Sequence, residues 1–565
     1  MHSTCSAAET SQAPPNFREV DYNQIFKLLL EIRNSSVEVP TEPKRFEQFP
    51  FSQAYKGQNQ AIEEVIKNER TLLCSPTGTG KTLIFGTAAL VIGAPTIIIE
   101  PRCHLQTQVC EYDFLNAVFL KARHRYPCKL NYACRTRFKR NGKWYFYYRG
   151  ELMPFPCSDC VYEQEKRLAS SVLKQGGIVV LNQGNFWLFR EDAEFVVVDE
   201  ADEFVRHIVS AISFRKKDVE DKADVEEIIE KGVEKTKEAI SNAETLTEKL
   251  GAKLEELRLK MAAERSEEIR AGIRKEIEEI ERELAKTNRL LDRLQNDLKR
   301  LYFFRAHAED CFVYEKGEKI YVEMYEKPGE VINRLFKTKT CVVTATPFNY
   351  DGKKVYYDVP FKAKVFVLPI GNLTVRNVFW NNNQDLLYKA AEVIKKIALL
   401  TFRIVDEKKA VVHCGNLKRH GKYLHKLISF DFPAILHEEG KLEQTIAKFL
   451  QSDTSFLLAV GMEYGTDLVN IPLQFILKVP YAAKDERLKA LEKFLGRDEF
   501  EKWYSQDALN RIVQACGRTA RRPNDFSVTF ILDEKFVELY EKYEHVLPGW
   551  FKNRLVWLKL KDVGE

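Results

Sequence analysis

The stretch TLLCSPTGTGKTLIF, residues 71–85, decides the fold of this chain. A short apolar run leads into a glycine-containing turn, and Lys81 and Thr82 then open a second run with helical spacing. A strand, such a turn and a helix N-terminus form a phosphate cradle, because backbone N–H groups of the turn face phosphate oxygens. The residues predicted to bind ATP there are Ser75, Pro76, Thr77, Gly78, Thr79, Gly80, Lys81 and Thr82.

Two side chains of this loop have predicted roles of their own. We expect Lys81 to bridge the β- and γ-phosphates and the Thr82 hydroxyl to bind Mg²⁺. Ser75 stands where the general P-loop pattern has a glycine. The alternative is a chance glycine-rich turn, which the strand–turn–helix context disfavours.

A second apolar run ends in two acids, in the segment VVVDEAD at residues 196–202. Asp199 is predicted to hold the Mg²⁺ ion, and Glu200 to orient and deprotonate the attacking water. An acidic strand end before a helix is also compatible with a plain helix cap. The P-loop upstream favours the catalytic interpretation.

Near the C-terminus, QDALNRIVQACGRTARRP at residues 506–523 predicts a helix that brings Gln514, Arg518 and Arg521 close together. Arginine suits an arginine finger, since its guanidinium is planar and permanently charged. We predict that Arg518 and Arg521 are catalytic and that Gln514 contacts ATP. Taken alone, two such arginines more often form a solvated or phosphate-contacting face.

The rest of the pattern predicts an α/β protein with a parallel sheet and crossover helices. Between residues 218 and 300, Leu and Ile recur at i, i+3 and i+4 among Glu, Lys and Arg, which predicts an antiparallel pair of long helices. The alternative for this arm is a solvated coiled coil without a ligand. The stretch 347–361 is typical of a domain boundary. The predicted strands are TIIIE (96–100), GIVVLN (177–182), EFVVVDE (194–200), TCVVTAT (340–346) and KAVVHC (409–414).

Twelve cysteines are too few for a disulfide scaffold in a chain of 565 residues. Four of them, Cys128, Cys134, Cys157 and Cys160, bracket Asn141–Gly142, a strong hairpin signal. Four thiolates at the base of a hairpin fit a [4Fe–4S] cluster or tetrahedral Zn²⁺, and packed thiols are a third alternative. The others are expected to be reduced packing residues: Cys5, Cys74, Cys103, Cys110, Cys311, Cys341, Cys414 and Cys516.

The same hairpin is rich in cations and aromatic rings. Bases could stack on the rings while the cations follow the phosphates, which predicts a nucleic-acid surface. A partly buried hairpin with a charged outer face would have a similar composition. The residues concerned are Arg135, Arg137, Lys139, Arg140, Lys143, Trp144, Tyr145, Phe146, Tyr147, Tyr148 and Arg149.

Composition constrains the function only weakly. The 87 Lys+Arg nearly cancel the 82 Asp+Glu, so the formal charge of +5 does not by itself indicate a polyanionic partner. No apolar run reaches the roughly 18–20 residues of a membrane span, and the first 15 residues lack the apolar segment of a signal peptide. We therefore expect a soluble cytoplasmic protein, associated with the nucleoid or, in a eukaryote, nuclear.

In their order along the chain, these motifs resemble those of superfamily 2 helicases from about residue 55 to residue 523. Residues 100–109 resemble motif Ia, residues 344–347 resemble motif III with Thr344 and Thr346, and residues 459–468 resemble motif V. Asp467 of motif V joins the predicted ATP site, while Tyr464 replaces the usual glutamate. Gln58 is assigned to adenine, although Gln60 is equally placed in the sequence.

The four-cysteine insertion before the acidic motif and the helical arm after it resemble the iron–sulfur DNA helicases of the XPD and DinG kind. This resemblance implies two RecA-like P-loop domains, an inserted cysteine-rich domain and an inserted helical arch. The implied ranges are 1–102, 177–204 and 321–355 for the N-terminal segment and first motor domain, 103–176 for the cysteine-rich domain, 205–320 for the arch and 356–565 for the second motor domain.

The resemblance also implies a [4Fe–4S] cluster on the four cysteines, with Zn²⁺ as the alternative. It implies ATP-dependent translocation from 5′ to 3′ along single-stranded DNA, in repair or replication-related processing. Single-stranded and forked DNA are the expected partners of a monomer that does not bind membranes. Two other functions stay open, because no reader of a 2′-hydroxyl is identifiable: an RNA-directed motor, and a nucleic-acid-binding scaffold that holds ATP without unwinding.

Overall fold

Two parallel β-sheets, with two insertions in the first, form the framework of the chain. The structure is a computed structural model that describes residues 15–101, 109, 112–126, 133–149, 151–156, 160–219, 224–373, 384–462, 468, 471–520 and 522–561.

The strands are β1 (Arg18–Val20), β2 (Thr41–Pro43), β3 (Gln53–Tyr55), β4 (Arg70–Cys74), β5 (Thr96–Ile99), β6 (Val118–Leu120), β7 (Phe138–Arg140), β8 (Lys143–Tyr148), β9 (Glu151–Pro154), β10 (Ile178–Leu181), β11 (Phe195–Val198), β12 (Ile212–Arg215), β13 (Cys311–Lys316), β14 (Lys319–Met324), β15 (Lys339–Thr344), β16 (Lys353–Tyr356), β17 (Lys364–Gly371), β18 (Ala410–His413), β19 (Ala434–Leu436), β20 (Phe456–Ala459), β21 (Leu473–Ile476), β22 (Val528–Asp533) and β23 (Leu555–Leu560).

The α-helices are α1 (Tyr22–Asn34), α2 (Gln58–Lys67), α3 (Lys81–Ile92), α4 (Val161–Lys174), α5 (Ala201–Val209), α6 (Val225–Ala263), α7 (Glu267–Arg305), α8 (Pro328–Leu335), α9 (Gln384–Phe402), α10 (Lys422–Ile428), α11 (Leu442–Gln451), α12 (Glu486–Leu495), α13 (Arg497–Cys516), α14 (Lys535–Tyr543) and α15 (Gly549–Lys552).

The first sheet has the order β16–β4–β15–β11–β5–β10–β6, and all its ladders are parallel. Its central strands are apolar throughout because both faces are covered. Ile97 packs into the core on the side of α5, whereas Ile98 packs into the core on the side of α2 and α3. The predicted α/β class is confirmed.

The second sheet has the order β1–β23–β17–β22–β21–β18–β20–β19 and is also parallel. Its edge contains the N-terminal segment, because β1 pairs with β23 and Val20, Ile25 and Leu29 pack into the core under α9. From the sequence, we expected this N-terminal segment to lie with the first motor domain. From β1 onward, the described chain therefore lies first on the second sheet and crosses to the first sheet after α1.

The cysteine-containing insertion includes the antiparallel sheet β7–β8–β9. Asn141 and Gly142 both have positive φ, 49° and 75°, which gives the tight turn that the sequence predicted. Phe138 of β7 packs against Leu250, Leu254 and other apolar residues of α6 and α7. The hairpin is therefore docked on the arm.

The arm is the predicted antiparallel pair, formed by α6 and α7. It stands on the small antiparallel sheet β12–β14–β13. This base also contacts the second motor domain, since Phe312 of β13 packs with Leu488 of α12 and Phe500 of α13. The Nε–H of Arg487 donates a bifurcated hydrogen bond to the two carboxylate oxygens of Glu323 in β14, at 2.8 and 2.9 Å.

Among the described residues, the structure contains no helix whose length and apolar character would let it cross a bilayer.

Candidate nucleotide site between the two sheets

The P-loop follows β4 and leads directly into α3. Gly78 and Gly80 have φ of 82° and 84°, a left-handed conformation that glycine adopts without strain. A side chain at Gly80 would also lie 2.7 Å from Nε2 of Gln58. The hydroxyls of Ser75 and Thr79 are 2.6 Å apart. Ser75, which replaces the usual glycine, therefore forms a hydrogen bond within the turn.

The structure separates the two candidate glutamines. Gln58 is 1% exposed, donates from Nε2 to the Thr79 carbonyl at 3.3 Å, and accepts the Tyr55 N–H at 2.8 Å. Gln60, two positions along α2, is exposed. Helical periodicity places them on different faces, and only Gln58 lies against the loop.

Lys81 and Glu200 face each other across the loop. The Lys81 Nζ lies 3.8 Å from Glu200 Oε1, and Lys81 is 8% exposed. Glu200 has a φ of 44°, unusual for a residue with a side chain, and Asp199 Oδ1 accepts its backbone N–H at 2.9 Å. Both acids at this strand end therefore lie near Lys81 of the P-loop.

A third carboxyl, Glu100 at the end of β5, was not predicted to belong to the site. It is fully buried, and its pKa is raised well above the ordinary value by burial and by the neighbouring Asp199. Burial also raises the pKa of Asp199, although Lys81 opposes that shift. The sequence signal was the acid that follows TIII, a strand parallel to β11 and ending at the same sheet edge.

The second motor domain closes the site from the opposite side. The Thr77 hydroxyl donates to the Gly517 carbonyl at the end of α13. Gln514 Nε2 lies 3.5 Å from Asp202 Oδ2 and 3.4 Å from the Thr346 hydroxyl. The Thr344 hydroxyl donates to the same Asp202 oxygen at 3.2 Å. The Asp202 carboxylate therefore connects the acidic motif with motif III and with α13.

Arg518 lies two residues beyond the end of α13 and is 8% exposed. Arg521 of the same motif lies outside the described residues, as do Asp467 and Tyr464 of motif V and most of motif Ia. Thr82 is half-buried in the first turn of α3. The roles of these residues stay predictions.

A partly buried ionic network lies beside the cleft. The sequence did not indicate it. The Arg206 Nε donates to Glu326 Oε1 at 3.1 Å, and its guanidinium lies 3.9 Å from Asp507 of α13. Arg511 in turn donates from Nε to Asp507 at 2.8 Å. The network joins the helix after the acidic motif to the helix that carries Gln514, and only tertiary structure brings its members together.

The four cysteines are placed only in part. Cys134 lies in a short 3-10 turn before β7, and Cys160 immediately precedes α4; both are partly exposed. Cys128 and Cys157 lie outside the described residues. Within the part of the chain that the structure describes, no three His, Cys, Asp or Glu side chains cluster as metal ligands. Five further cysteines are buried as predicted: Cys74, Cys311, Cys341, Cys414 and Cys516.

Most of the hairpin's charged and aromatic residues contact the arm or each other. Arg137 pairs with Asp292 at 2.6 Å, Lys139 with Glu244 at 2.7 Å and Arg140 with Glu255 at 2.7 Å. Phe146 is buried, and Lys143 and Arg149 are exposed. Most of this surface therefore fits the alternative of a partly buried hairpin with a charged outer face.

Known families match both halves of the cleft. The DEAD/DEAH box helicase family matches residues 55–217, and the helicase C-terminal domain family matches residues 407–554. No curated protein matches the sequence significantly.

Solved structures match nearly the whole chain at low identity. An apo XPD structure shares 15% identity over 90% of this chain and 100% of its own, with a TM-score of 0.51. An XPD helicase shares 16% identity over 89% and 98%, with a TM-score of 0.49. Xpd4 of S. tokodaii shares 12% identity over 90% and 99%, with a TM-score of 0.48.

The two matched domains, on either side of a P-loop cleft, identify an ATP-dependent helicase of superfamily 2. The fold of the chain is similar to that of an XPD structure along that structure's whole length. ATP and Mg²⁺ are the cofactors expected of such an enzyme.

Proposed function

We propose that this helicase moves along single-stranded DNA in the 5′ to 3′ direction and unwinds forked DNA, in repair or replication-related processing. The observation that carries the motor function is the closed cleft, in which Lys81 faces Glu200 and Gln514 of the other domain reaches the Asp202 cluster. The choice of DNA and the polarity rest on the resemblance to XPD and DinG.

In the proposed cycle, Lys81 binds the terminal phosphates, Thr82 and Asp199 hold Mg²⁺, and Glu200 takes a proton from the attacking water. Arg518 and Arg521 offset the charge that develops on the transferred phosphate. Gln58 contacts adenine, and Asp467 and Gln514 complete the ATP site. Release of the phosphate formed by hydrolysis removes charge that the closed cleft binds, so the two domains separate and step along the strand.

We further propose that Cys128, Cys134, Cys157 and Cys160 hold a [4Fe–4S] cluster. The donor chemistry fits, because the two described thiols flank one small sheet and are accessible, whereas the five buried cysteines belong to apolar cores. When bound, the cluster would tie the segments around the hairpin together through iron–thiolate bonds. Four thiolates would also suit Zn²⁺.

The metal content of anaerobically purified protein tests this assignment. We expect about four iron and four acid-labile sulfide per chain, lost in Cys128→Ser and Cys160→Ser and retained in the matched control Cys311→Ser. Stoichiometric zinc would contradict the cluster while leaving the motor intact.

The ATPase of the same preparations distinguishes DNA from RNA as the track. We expect single-stranded DNA to stimulate turnover more than RNA of the same sequence and length. Preferential stimulation by RNA would contradict a DNA helicase, and tight ATP binding without turnover on either polymer would indicate a scaffold.

A further inference from the structure

Trp550 of α15 makes a contact across the cleft that the sequence motifs do not predict. Its indole N–H donates to the Ala345 carbonyl at 3.1 Å, and the side chain is almost fully buried. Ala345 lies between Thr344 and Thr346, whose hydroxyls both donate to Asp202. A side chain of the second motor domain thus holds the backbone of motif III in the first.

The same ring also lies against the end of α13. A methyl group at Gly517 would be 3.8 Å from Cη2 of Trp550. Gly517 accepts the hydrogen bond from Thr77 of the P-loop, and Arg518 follows it in the chain. Trp550 therefore donates a hydrogen bond to the segment that contacts Asp202, and it shares an apolar core with Ala515 and Cys516 at the end of the helix that precedes the arginine.

The ring has little freedom in this position. The Arg554 guanidinium lies 4.9 Å from the Trp550 ring and 4.5 Å from Phe361, and it pairs with Asp358 at 3.8 Å. Phe361 and Asp358 belong to the linker between the two sheets. A stacked cation and a linker ring hold the indole so that its N–H points across the domain boundary.

We propose that Trp550 is a positioning residue that couples motif III to the arginine-bearing end of α13, so that both reach their hydrolysis-competent arrangement together. This inference rests on the proposed ATP-driven cycle. Loss of the indole N–H should leave ATP binding largely intact, because Trp550 does not line the P-loop, and should slow the stimulated hydrolysis step.

The test compares Trp550→Phe with the matched control Trp557→Phe. Trp557 of β23 packs against Phe17, Phe536 and Tyr540, which are all on the second-sheet side. We expect Trp550→Phe to lower the DNA-stimulated kcat about fivefold, the factor typical of one neutral hydrogen bond, with KM for ATP within twofold of wild type. Equal stimulated kcat values in the two variants would overturn the proposal.

Tryptophan fluorescence supplies a readout that does not need turnover. Addition of Mg–ATP should change the emission of the wild type and of Trp557→Phe, and the larger part of that change should be lost in Trp550→Phe. An undiminished change in Trp550→Phe would overturn the coupling role. Wild-type protein without stimulated ATPase would instead contradict the proposed function, and the fluorescence comparison would still decide the role of Trp550.

Discussion

Glu326 has an unusual environment for a carboxylate, at the boundary between the two motor domains. Burial, assisted by Asp507 and Asp202, raises its pKa to about 7, while Arg206 and Arg487 oppose the shift. Its side chain is 17% exposed. The folded protein therefore binds a proton at this carboxyl more tightly than the unfolded chain does.

The sign of the resulting pH dependence follows from this raised pKa. Between the ordinary value of 4.5 and about 7, the folded state holds more protons than the unfolded state, so the contribution of Glu326 to stability falls as pH rises. Above pH 7 the charged carboxylate destabilises the fold by up to about 3 kcal/mol. We expect Glu326→Gln to gain melting temperature relative to wild type from pH 5 to 7.5 and to level off above. A difference in melting temperature that does not change with pH would contradict this assignment.

The sequence predicted the residues of the site whose role depends on local structure. Asp199 and Glu200 directly follow the buried strand β11, and Lys81 begins the helix after the loop that follows β4, so local strand–loop order places all three at one sheet edge. Glu100 directly follows β5 and could have been found by the same rule, whereas Trp550 could not, because its partner Ala345 is distant in sequence. Gln58 could be separated from Gln60 only once the face of α2 that meets the P-loop was known.

For the arm, the periodicity of apolar residues predicts the helices but not all of their packing partners. The i, i+3, i+4 pattern predicted both long helices, since one apolar stripe must be buried. It did not indicate that part of the stripe covers Phe138 of the cysteine-containing hairpin rather than the partner helix. The hairpin cations looked like a phosphate-binding set because their partner acids lie about 100 or more residues away.

Gly251 of α6 makes this docking possible and supplies a test of it. A methyl group there would lie 2.2 Å from Cδ2 of Phe138, whereas one at Gly272 of α7 would meet nothing within 4 Å. We expect Gly251→Ala to destabilise the hairpin by about 1–3 kcal/mol, seen as faster hydrogen exchange across β7 and β8.

Gly272→Ala is the matched control, and it should leave that exchange unchanged while stabilising the helix by up to about 1 kcal/mol. Unchanged protection of the hairpin in Gly251→Ala would show that the hairpin does not rest on the arm at this point.

In the whole molecule, several contacts among the described residues connect the motor domains outside the nucleotide cleft and the linker. The N-terminal segment begins on the second sheet and crosses to the first, and Asn524 holds the crossing chain through both backbone groups of Val37. The base of the arm packs on α12 and α13, with Arg487 bound to Glu323. Arg206 joins Glu326 to Asp507. The base of the arm therefore contacts the second motor domain as well as the first.

The two-sheet architecture was predictable from alternating β-branched runs and motif order, whereas these connections were not. β1 is only three residues long, and its pairing with β23 joins the two ends of the chain. No local pattern specifies such a pairing, because the register depends on which strand edge is left open after the rest has folded.

An unwinding assay shows whether ATP hydrolysis in this cleft drives strand separation. Forked DNA with a 5′ tail is given to the wild type and to Glu200→Gln, with Mg²⁺ and ATP or a non-hydrolysable analogue. We predict unwinding only by the wild type with ATP, and a loss of at least about 100-fold in Glu200→Gln although it still binds ATP. Unwinding that persists in Glu200→Gln, or that proceeds equally with the analogue, would contradict the claim.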